Sequence, residues 1–338
     1  MDYIPFLEKE GIHCTVVNYS SPVLYRWLYL KGWANSFWNR KNHSIYLDRL
    51  YSLVKMFYIL LIARRFDIVY IEKVTPPAWW VNLLKRVNDQ IIFDFDDAVF
   101  IQSPKRSDHI IKHSHKVVAG SHFNLDYSLS INRDTILLPT PVPIHLYPKS
   151  TKLPDRQKTG INIGWVGTTG NIKYLSLLEE PFARLAKSFP GLLQFTIIGH
   201  IKQFEQLKLQ YPSIKLQLKP YIDPQFIFEH LSEFDIGVMP LFDGDWERGK
   251  CASKALFYMA AHVPVVCSGV GENNHVIQDG VNGYLANTED EWVSKLTSLI
   301  ENQELRIRLR AAGRKTVEKK YSTEVCYKTL RQKVLLKT

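Results

Sequence analysis

The chain has 338 residues, of which 46% are hydrophobic and 12% aromatic, and it carries a formal net charge of +10. This length and apolar content can bury a large core and predict two domains, which excludes a disordered protein. The scattered spacing of the four cysteines argues against a zinc ribbon or a disulfide framework and favours a reducing compartment. No stretch reaches the roughly 18 apolar residues of a spanning helix, and the start lacks the order of a signal peptide, so we expect a cytoplasmic protein.

The first distinctive segment in chain order, residues 24–65, is both basic and aromatic. It contains eight Lys or Arg residues against the single acid Asp48, together with ten aromatic residues. Cations interleaved with Trp and Tyr suit the headgroup level of a bilayer, so one interpretation is a peripheral contact with the inner face of the membrane. In the alternative, the segment is helical, its aromatic side chains pack inward and its charges are solvated. The sequence supports both interpretations equally.

Short β-branched runs alternate with longer amphipathic runs after this segment. Because strands and helices that take turns form βαβ units, the alternation predicts an α/β fold with parallel sheets. The predicted strands of the first half are 66–74, 90–100, 116–121 and 134–140.

The stretch 141–160 holds four prolines and no periodicity, which predicts a linker at 146–160. The alternation then restarts, and a long charged helix is predicted from about Glu289 to the end of the chain. Two Rossmann-like sheets joined in this way leave a cleft beyond the carboxyl ends of their strands, where open α/β sheets bind ligands. The predicted strands of the second half are 161–167, 193–199, 213–221 and 235–241, and the alternation continues with VPVVCSG at 263–269 and NGYLA at 282–286. The predicted units are a domain at 1–145, a domain at 161–322 and a C-terminal helix at 323–338.

The sequence GWVGTTGNIKYL, residues 164–175, predicts a strand, a glycine-containing turn and a helix. Gly167 and Gly170 would let the backbone approach a ligand, and the free N–H groups at the start of the helix would form an anion site that Lys173 strengthens. The alternative is a plain tight turn. The chain lacks GxxxxGK[ST], which argues against a P-loop kinase or ATPase.

The sequence DGDWERGKCASKALFYMA, residues 243–260, carries two lysines. Lys250 and Lys254 are four residues apart and are predicted to project from one face of a helix, near its N terminus. Cations at that end oppose the helix dipole, which favours a bound anion as their partner. The alternative is that both lysines point to solvent.

Two further loops carry polar groups that could bind a ligand. In SGVGENNHVIQDGVNGYL, residues 268–285, backbone amides could receive a diphosphate or sugar hydroxyls, although the loop could equally be a simple connection. Asp94, Asp96 and Asp97 end a predicted buried strand, with the first two on one side. They are candidates for a metal site, for holding an acceptor hydroxyl, or for a helix N-cap.

Together these motifs resemble the C-terminal half of family 4 retaining glycosyltransferases, which have the GT-B fold of two Rossmann-like domains facing across a cleft. The resemblance rests on GWVGTTGNIKYL, FDIGVMPL, WERGKCASKALFYMAAHVPVV and VGENNHVIQDGVNGYL, in that order. The first half resembles the acceptor domain of the same family through RRFDIVYIEK, IIFDFDDAVF and LLPTPV.

The resemblance implies transfer of a sugar from a nucleotide diphosphate donor to a polysaccharide or glycolipid acceptor, with retained configuration and without a metal or another cofactor. Glu247 would contact the donor sugar, and Asp97 is the second candidate catalytic residue. Fixed cations would stabilise the charge that builds on the leaving phosphate. The residues expected to bind the donor diphosphate are Gly167, Thr168, Lys173, Lys250 and Lys254. The loop expected at the donor sugar comprises Gly271, Glu272, Asn273 and Asn274.

The chain departs from the family pattern in three places. Phe257 stands where the family has the second glutamate of a pair, which contacts the donor ribose, and His275 replaces a glutamate of the glycine-rich loop. The family's first strand and its glycine-containing loop are missing. From this we expect either a truncated start or a loss of activity, and an exposed sheet edge.

These departures favour an alternative function, a non-catalytic GT-B relative that binds a nucleotide sugar or a partner protein. A third hypothesis, a sugar-nucleotide epimerase, needs an acid–base set that the sequence does not supply. A nucleic-acid binder is not expected, because no recognised motif accompanies the charge.

Overall fold

The structure is a computed structural model that describes residues 3–17, 41–147, 160–200, 204–219 and 230–335, without the side chains of 41–50 and 200. Residues 24–40 of the basic aromatic segment and most of the predicted linker lie outside the described residues. The described residues form two parallel sheets flanked by helices, as the alternation of strands and helices predicted.

The first sheet has four parallel strands in the order β1-β2-β3-β4. Four of the five side chains of the second strand are buried, as expected where helices cover both faces of a parallel sheet. Phe95 pairs with Ala119, so the second and third strands end side by side. The strands are β1 (Val69–Glu72), β2 (Ile91–Phe95), β3 (Lys116–Ala119) and β4 (Thr135–Leu137).

The helices of the first half are amphipathic where they cover this sheet. In the third of them, Trp80, Val81 and Leu84 recur at helical spacing and are buried, whereas Trp79 and Leu83 are exposed. The helices are α1 (Ile4–Lys9), α2 (Lys41–Ala63), α3 (Ala78–Val87), α4 (Val99–Gln102), α5 (Pro104–His113) and α6 (His122–Leu129), followed by a 3-10 turn at Ile144–Leu146.

The second sheet has six parallel strands in the order β10-β9-β8-β5-β6-β7. All four residues of the strand at 236–239 are buried. A Cβ on Gly237 would lie 2.7 Å from the ring of Tyr258, so glycine lets a helix pack closely on this strand. The strands are β5 (Ile161–Thr168), β6 (Leu193–His200), β7 (Lys215–Lys219), β8 (Ile236–Met239), β9 (Val265–Cys267) and β10 (Tyr284–Leu285).

The second half contains eight further α-helices among the described residues. The helix that was predicted to follow β5 starts as a 3-10 helix, Thr169–Leu178, before it becomes α-helical. The α-helices are α7 (Glu179–Ser188), α8 (Phe204–Gln210), α9 (Asp245–Arg248), α10 (Ser253–Ala260), α11 (Asn273–Val276), α12 (Glu289–Glu301), α13 (Gln303–Lys320) and α14 (Thr323–Leu330), and a π-helical turn follows at Arg331–Leu335.

The prediction of one long helix from Glu289 is wrong, because the chain breaks between α12, α13 and α14. Asn302 accepts a hydrogen bond from the backbone N–H of Leu305 at 2.9 Å and starts α13. Ser322 accepts one from Val325 at 3.4 Å and starts α14. Capping residues have a non-helical backbone, so the helix cannot continue through them. The charged residues continue on both sides of each break, so the sequence pattern does not indicate where the helices end.

The last helix returns to the first sheet. The backbone N–H of Val142 donates to Tyr321 O at 2.8 Å, and that of Thr323 donates to Val142 O at 3.0 Å, where the two segments cross. Apolar residues of α14 then join the core of the first sheet, together with α1. The buried members of this cluster are Ile92, Val118, Leu138, Cys326, Tyr327, Leu330 and Val334.

Helix α2 leaves an apolar strip on the surface. Met56 and Ala63 are buried, but Phe57 is 55% exposed and Leu61 is 71% exposed. Phe57 contacts the ring of Trp79 at a centroid distance of 6.3 Å. For this part of the segment, inward packing of the aromatic side chains is therefore not what the structure shows. No helix within the described ranges has the length and apolar character that a membrane crossing requires.

Candidate functional site

The segment between α9 and α10 lies against the carboxyl ends of β2 and β3. The carbonyl oxygen of Gly249 accepts hydrogen bonds from Ser121 Oγ and Asn124 Nδ2, both at 3.1 Å. A Cβ on Gly249 would lie 2.5 Å from Ala98 Cβ, so only glycine fits. The two sheets therefore meet in a cleft, at the ends of the strands where α/β sheets bind ligands.

The prediction that Lys250 and Lys254 share one helix face is wrong. Lys250 lies in a non-helical segment, and Lys254 lies in the first turn of α10. Ala252 has a φ of +53°, a left-handed conformation that stops the helix from extending backwards. Cys251 Sγ donates to the carbonyl oxygen of Asp96 at 2.7 Å and ties this segment to the first sheet. Tertiary contacts across the cleft therefore override the helical spacing.

Lys254 is a partly buried cation whose Nζ lies 4.8 Å from the centroid of the Trp165 ring. No carboxylate pairs with it within the described residues. Burial, with a smaller contribution from the charge of Lys250, lowers its pKa from 10.5 to about 7. An anion at this position would relieve both effects.

The packing at the end of β5 gives a steric reason for glycine at position 167. Gly167 and Thr168 are the last two residues of β5, so the strand extends one residue beyond its predicted end at 167. A Cβ on Gly167 would overlap the ring of Trp165, so this glycine makes room for the indole that supports Lys254. A Cβ on Gly170 would meet no atom within 4 Å.

Lys250 forms an ion pair across the cleft. Its Nζ lies 3.7 Å from Asp97 Oδ1 and 5.4 Å from the centroid of the Trp246 ring. Asp97 follows β2 in the first sheet and its side chain is 46% exposed. The pair therefore places one anion of the first sheet beside the cation of the second.

The three aspartates near the end of β2 have separate partners. Asp94 accepts a hydrogen bond from Tyr70, and burial raises its pKa to about 7 despite that bond. Asp96 pairs with Lys73 at 2.5 Å, and Asp97 faces Lys250. Within the described residues they form no common metal site.

Glu247 is a buried carboxylate in the short helix α9. It is 6% exposed, accepts a hydrogen bond from Tyr174, and lies 3.3 Å from Lys173 Nζ. Burial alone would raise its pKa, but the hydrogen bonds from Tyr174 and Lys173 outweigh burial and hold the pKa below its ordinary value. Lys173 itself is 56% exposed and can meet a second anion.

The glycine-rich loop after β9 is fixed by its own side chains. Gly271 has a φ of +52°, which favours glycine. Asn273 Nδ2 donates to Ser268 O at 2.9 Å, and Asn274 Nδ2 donates to Gly269 O at 3.0 Å. Both amide side chains thus hold the loop in its conformation through their Nδ2 groups.

Glu272 of the same loop reaches the first sheet. It is 3% exposed, accepts the backbone N–H of His122 at 2.9 Å, and lies 3.0 Å from His122 Nδ1. His122, Ser121 and Asn124 of the first sheet were not predicted from the sequence as site residues. They could have been found from the run AGSHFN at the end of β3. Ligands bind at the carboxyl ends of the strands in open α/β sheets, and β3 lies beside β2, whose end was considered.

Comparison with known proteins relates part of the chain to a family. Residues 160–302, less than half of the chain, match the family model described as Glycosyl transferases group 1. Among curated proteins, no sequence match is found.

Solved structures share the fold. Sucrose-phosphate synthase from Thermosynechococcus elongatus aligns with a TM-score of 0.64 and 13% identity, over 83% of this chain and 77% of that one. HepE from Anabaena in complex with UDP-glucose aligns with a TM-score of 0.66 and 12% identity, over 98% and 88%. The lipopolysaccharide outer core galactosyltransferase WaaB aligns with a TM-score of 0.61 and 16% identity, over 86% and 81%. The chain therefore has the GT-B fold, as predicted, and its second sheet matches the model of the glycosyl transferases group 1.

Proposed function

We propose that the chain is a retaining glycosyltransferase that moves a sugar from a nucleotide diphosphate donor to a polysaccharide or glycolipid acceptor. The observation that carries this proposal is Lys254, a partly buried cation beside Lys250 with which no carboxylate pairs among the described residues. Burying such a charge costs free energy unless an anion binds beside it. The family match over 160–302 and the structural similarity to HepE bound to UDP-glucose support a donor diphosphate as that anion.

The donor diphosphate would lie between the end of β5 and the start of α10. Lys254 and Lys250 would each face a phosphate, and Lys173 would reach the same group from the other side. Backbone N–H groups after Thr168 would add hydrogen bonds. Binding would replace the pair between Lys250 and Asp97, which at 3.7 Å is long for a strong ion pair.

The transfer breaks the bond between the sugar C1 and the oxygen of the distal phosphate, and the acceptor oxygen forms the new bond to C1 from the same face. The electron pair of the broken bond stays on the leaving diphosphate, and the proton of the acceptor hydroxyl passes to it. The lysines stabilise the charge that develops there. Glu247, fixed and ionised, would hold a donor sugar hydroxyl, and Asp97 would orient the acceptor hydroxyl.

The acceptor side of the proposal rests on the surface of α2. Phe57 and Leu61 are exposed beside Arg64 and Arg65, and this mixture of apolar and basic side chains suits contact with an anionic membrane surface. WaaB, which shares the fold, is described as a lipopolysaccharide galactosyltransferase. A lipid-linked or envelope glycan acceptor at the inner membrane face is therefore our preferred acceptor class.

One observation favours the second candidate, a non-catalytic nucleotide-sugar binder. Phe257 packs against the apolar core of the second sheet, at the position where the resemblance implies a glutamate for the donor ribose. A phenyl ring cannot accept a ribose hydroxyl hydrogen bond. If the chain is such a binder, we expect it to bind the nucleotide sugar but to transfer little of it.

The test is a thermal-shift screen of the full chain against UDP, GDP, ADP and dTDP sugars, followed by a transfer assay with the sugar that binds. A ligand at about 100 times its Kd should stabilise the fold by about 2.7 kcal/mol. Loss of one charged hydrogen-bond donor costs about 1.5–3 kcal/mol, so Lys250→Ala and Lys254→Ala should each weaken donor binding by about 10-fold to 100-fold.

The matched control is Lys295→Ala. Lys295 also lies over an aromatic ring, that of Tyr284 at 4.6 Å, and pairs with Asp279, but it lies outside the cleft. The Lys295→Ala variant should therefore bind the donor as tightly as the wild type does. If no nucleotide sugar binds to the folded protein, the proposal fails. Binding that depends on the two lysines without any transfer supports the second candidate instead.

A further inference from the structure

We propose that His122, Glu272 and His275 form a binding site for a divalent metal ion of the zinc type, and that the ion joins the two domains. His122 begins α6 on the first sheet, whereas Glu272 and His275 belong to the loop and short helix after β9 on the second. Glu272 belongs to the loop expected at the donor sugar, but no step of the proposed transfer runs through the metal site.

The geometry brings one ligand atom of each side chain into a small volume. These three atoms all lie within 4.8 Å of one another. His122 Nδ1 is already 3.0 Å from Glu272 Oε2. Zinc–ligand distances of about 2.0–2.2 Å in a tetrahedral site place the ligand atoms about 3.4 Å apart. A bound ion lies in the plane of each imidazole ring that it contacts, so the two stacked rings must separate for both to bind it. His275 is exposed and can turn about its side-chain bonds to allow this.

The second sheet presents its two ligands from a fixed turn. Glu272 and His275 are three residues apart on a helical turn, so both side chains lie on one face. Gly271, with its φ of +52°, packs so closely on the carbonyl of Arg248 that a Cβ would overlap it. The carboxylate is therefore held in place before any ion arrives, which limits the entropic cost of binding.

The charges around the cluster also favour a cation. Glu272 is 3% exposed, and within the described residues no Lys or Arg pairs with it; its partners are the backbone N–H and the ring of His122. The rings of His122 and His275 stack at a centroid distance of 3.7 Å. A buried carboxylate needs a compensating charge. One divalent ion would supply that charge and would take one nitrogen atom of each ring as a ligand.

The donor set selects the class of metal. Two imidazoles and one carboxylate suit zinc and the neighbouring first-row ions, whereas magnesium and calcium prefer an all-oxygen set. Three protein ligands leave one coordination position for water. Because the ligands come from both sheets, metal binding would stabilise the contact between the domains beside the glycine-rich loop.

The test is metal binding by the full chain after treatment with EDTA. Titration with Zn²⁺ should give one equivalent bound by calorimetry and by elemental analysis, with a rise of several degrees in the melting midpoint. Co²⁺ should give the visible absorption of a tetrahedral site and should be displaced by Zn²⁺. His122→Gln, Glu272→Gln and His275→Gln should each weaken Zn²⁺ binding at least about tenfold.

A matched control is available in α5. His109 and His113 stack in the same way, at a centroid distance of 4.1 Å, but no third ligand joins them among the described residues. The variant with both changed to Gln should bind Zn²⁺ as the wild type does. The inference is overturned if the wild type binds no ion, if the three cluster variants bind normally, or if binding is lost only with His109 and His113. The Co²⁺ spectrum of the wild type tests the site even if a variant fails to fold. Metal binding is measured without a donor sugar, so failure of the proposed transferase function leaves this result unaffected.

Discussion

Lys254→Met should remove the pH dependence of nucleotide diphosphate binding above pH 7. Burial and the charge of Lys250 lower the pKa of Lys254 to about 7, so about half of the molecules carry its charge at pH 7. A bound diphosphate would raise that pKa again, because it is an opposite charge in contact. The charged form therefore binds more tightly, and binding takes up a proton.

The sign and size of the effect follow from linkage. Affinity is fully present well below pH 7, and it is lost as pH rises from the pKa of Lys254 in the free protein to its pKa in the complex. If the complex restores the ordinary value of 10.5, affinity falls about 50-fold between pH 7 and pH 9, which equals about 2.3 kcal/mol. The ligand contributes little to this slope, because a terminal phosphate with a pKa of about 6 is already ionised.

The assay is isothermal titration with UDP at pH 7, 8 and 9, in buffers of different ionisation enthalpy. The wild type should take up about half a proton per UDP at pH 7. Lys254→Met should bind more weakly at pH 7 and show little change up to pH 9, while Lys295→Met should keep the wild-type slope. A wild-type affinity that varies by less than about threefold over this range, or an equal slope in Lys254→Met, would refute the reasoning.

Three further predictions concern stability and the contact between the sheets. The pKa of Asp94 is raised from 3.8 to about 7, so the folded state loses stability as pH rises through this range. Asp94→Asn should stabilise the protein by up to about 4 kcal/mol in urea unfolding at pH 8, and by only about 0.6 kcal/mol at pH 4. Gly249→Ala should lower the free energy of unfolding by about 1–3 kcal/mol, because the added Cβ would press on the first sheet. Gly170→Ala should be nearly neutral, because the space around Gly170 is open, and equal melting midpoints for the two variants would contradict the described contact. Tyr174→Phe should cost about 1.5–3 kcal/mol through the lost hydrogen bond to a charged carboxylate, and an unchanged unfolding free energy would mean that the bond is not formed.

The fold was readable from the sequence because parallel strands that are buried on both faces leave continuous apolar runs. The runs IIFDF and IGVM became β2 and β8, and each was bounded by turn residues that local chemistry explains. The helix breaks at Asn302 and Ser322 were missed. Their capping side chains act only once the chain has turned, and the charged pattern on either side is the same.

The candidate lysines were also found from sequence, but for a partly wrong reason. Spacing predicted that Lys250 and Lys254 lie on one helix, whereas the left-handed Ala252 separates them. They belong to the same region because Cys251 is tied to the end of β2, a contact between residues 155 positions apart in the chain. Local periodicity carries no information about such a contact.

The sequence by itself determined which residues could be buried and which could carry charge, and this was enough to predict two parallel α/β sheets and a set of candidate anion-binding residues. Only the tertiary structure decided how charges pair. Lys173 with Glu247, Lys250 with Asp97, and His122 with Glu272 are each brought together from distant segments. The physical reason is range: propensity and hydrophobic period act over a few residues, whereas electrostatic pairing depends on distances that are fixed only when the two sheets meet.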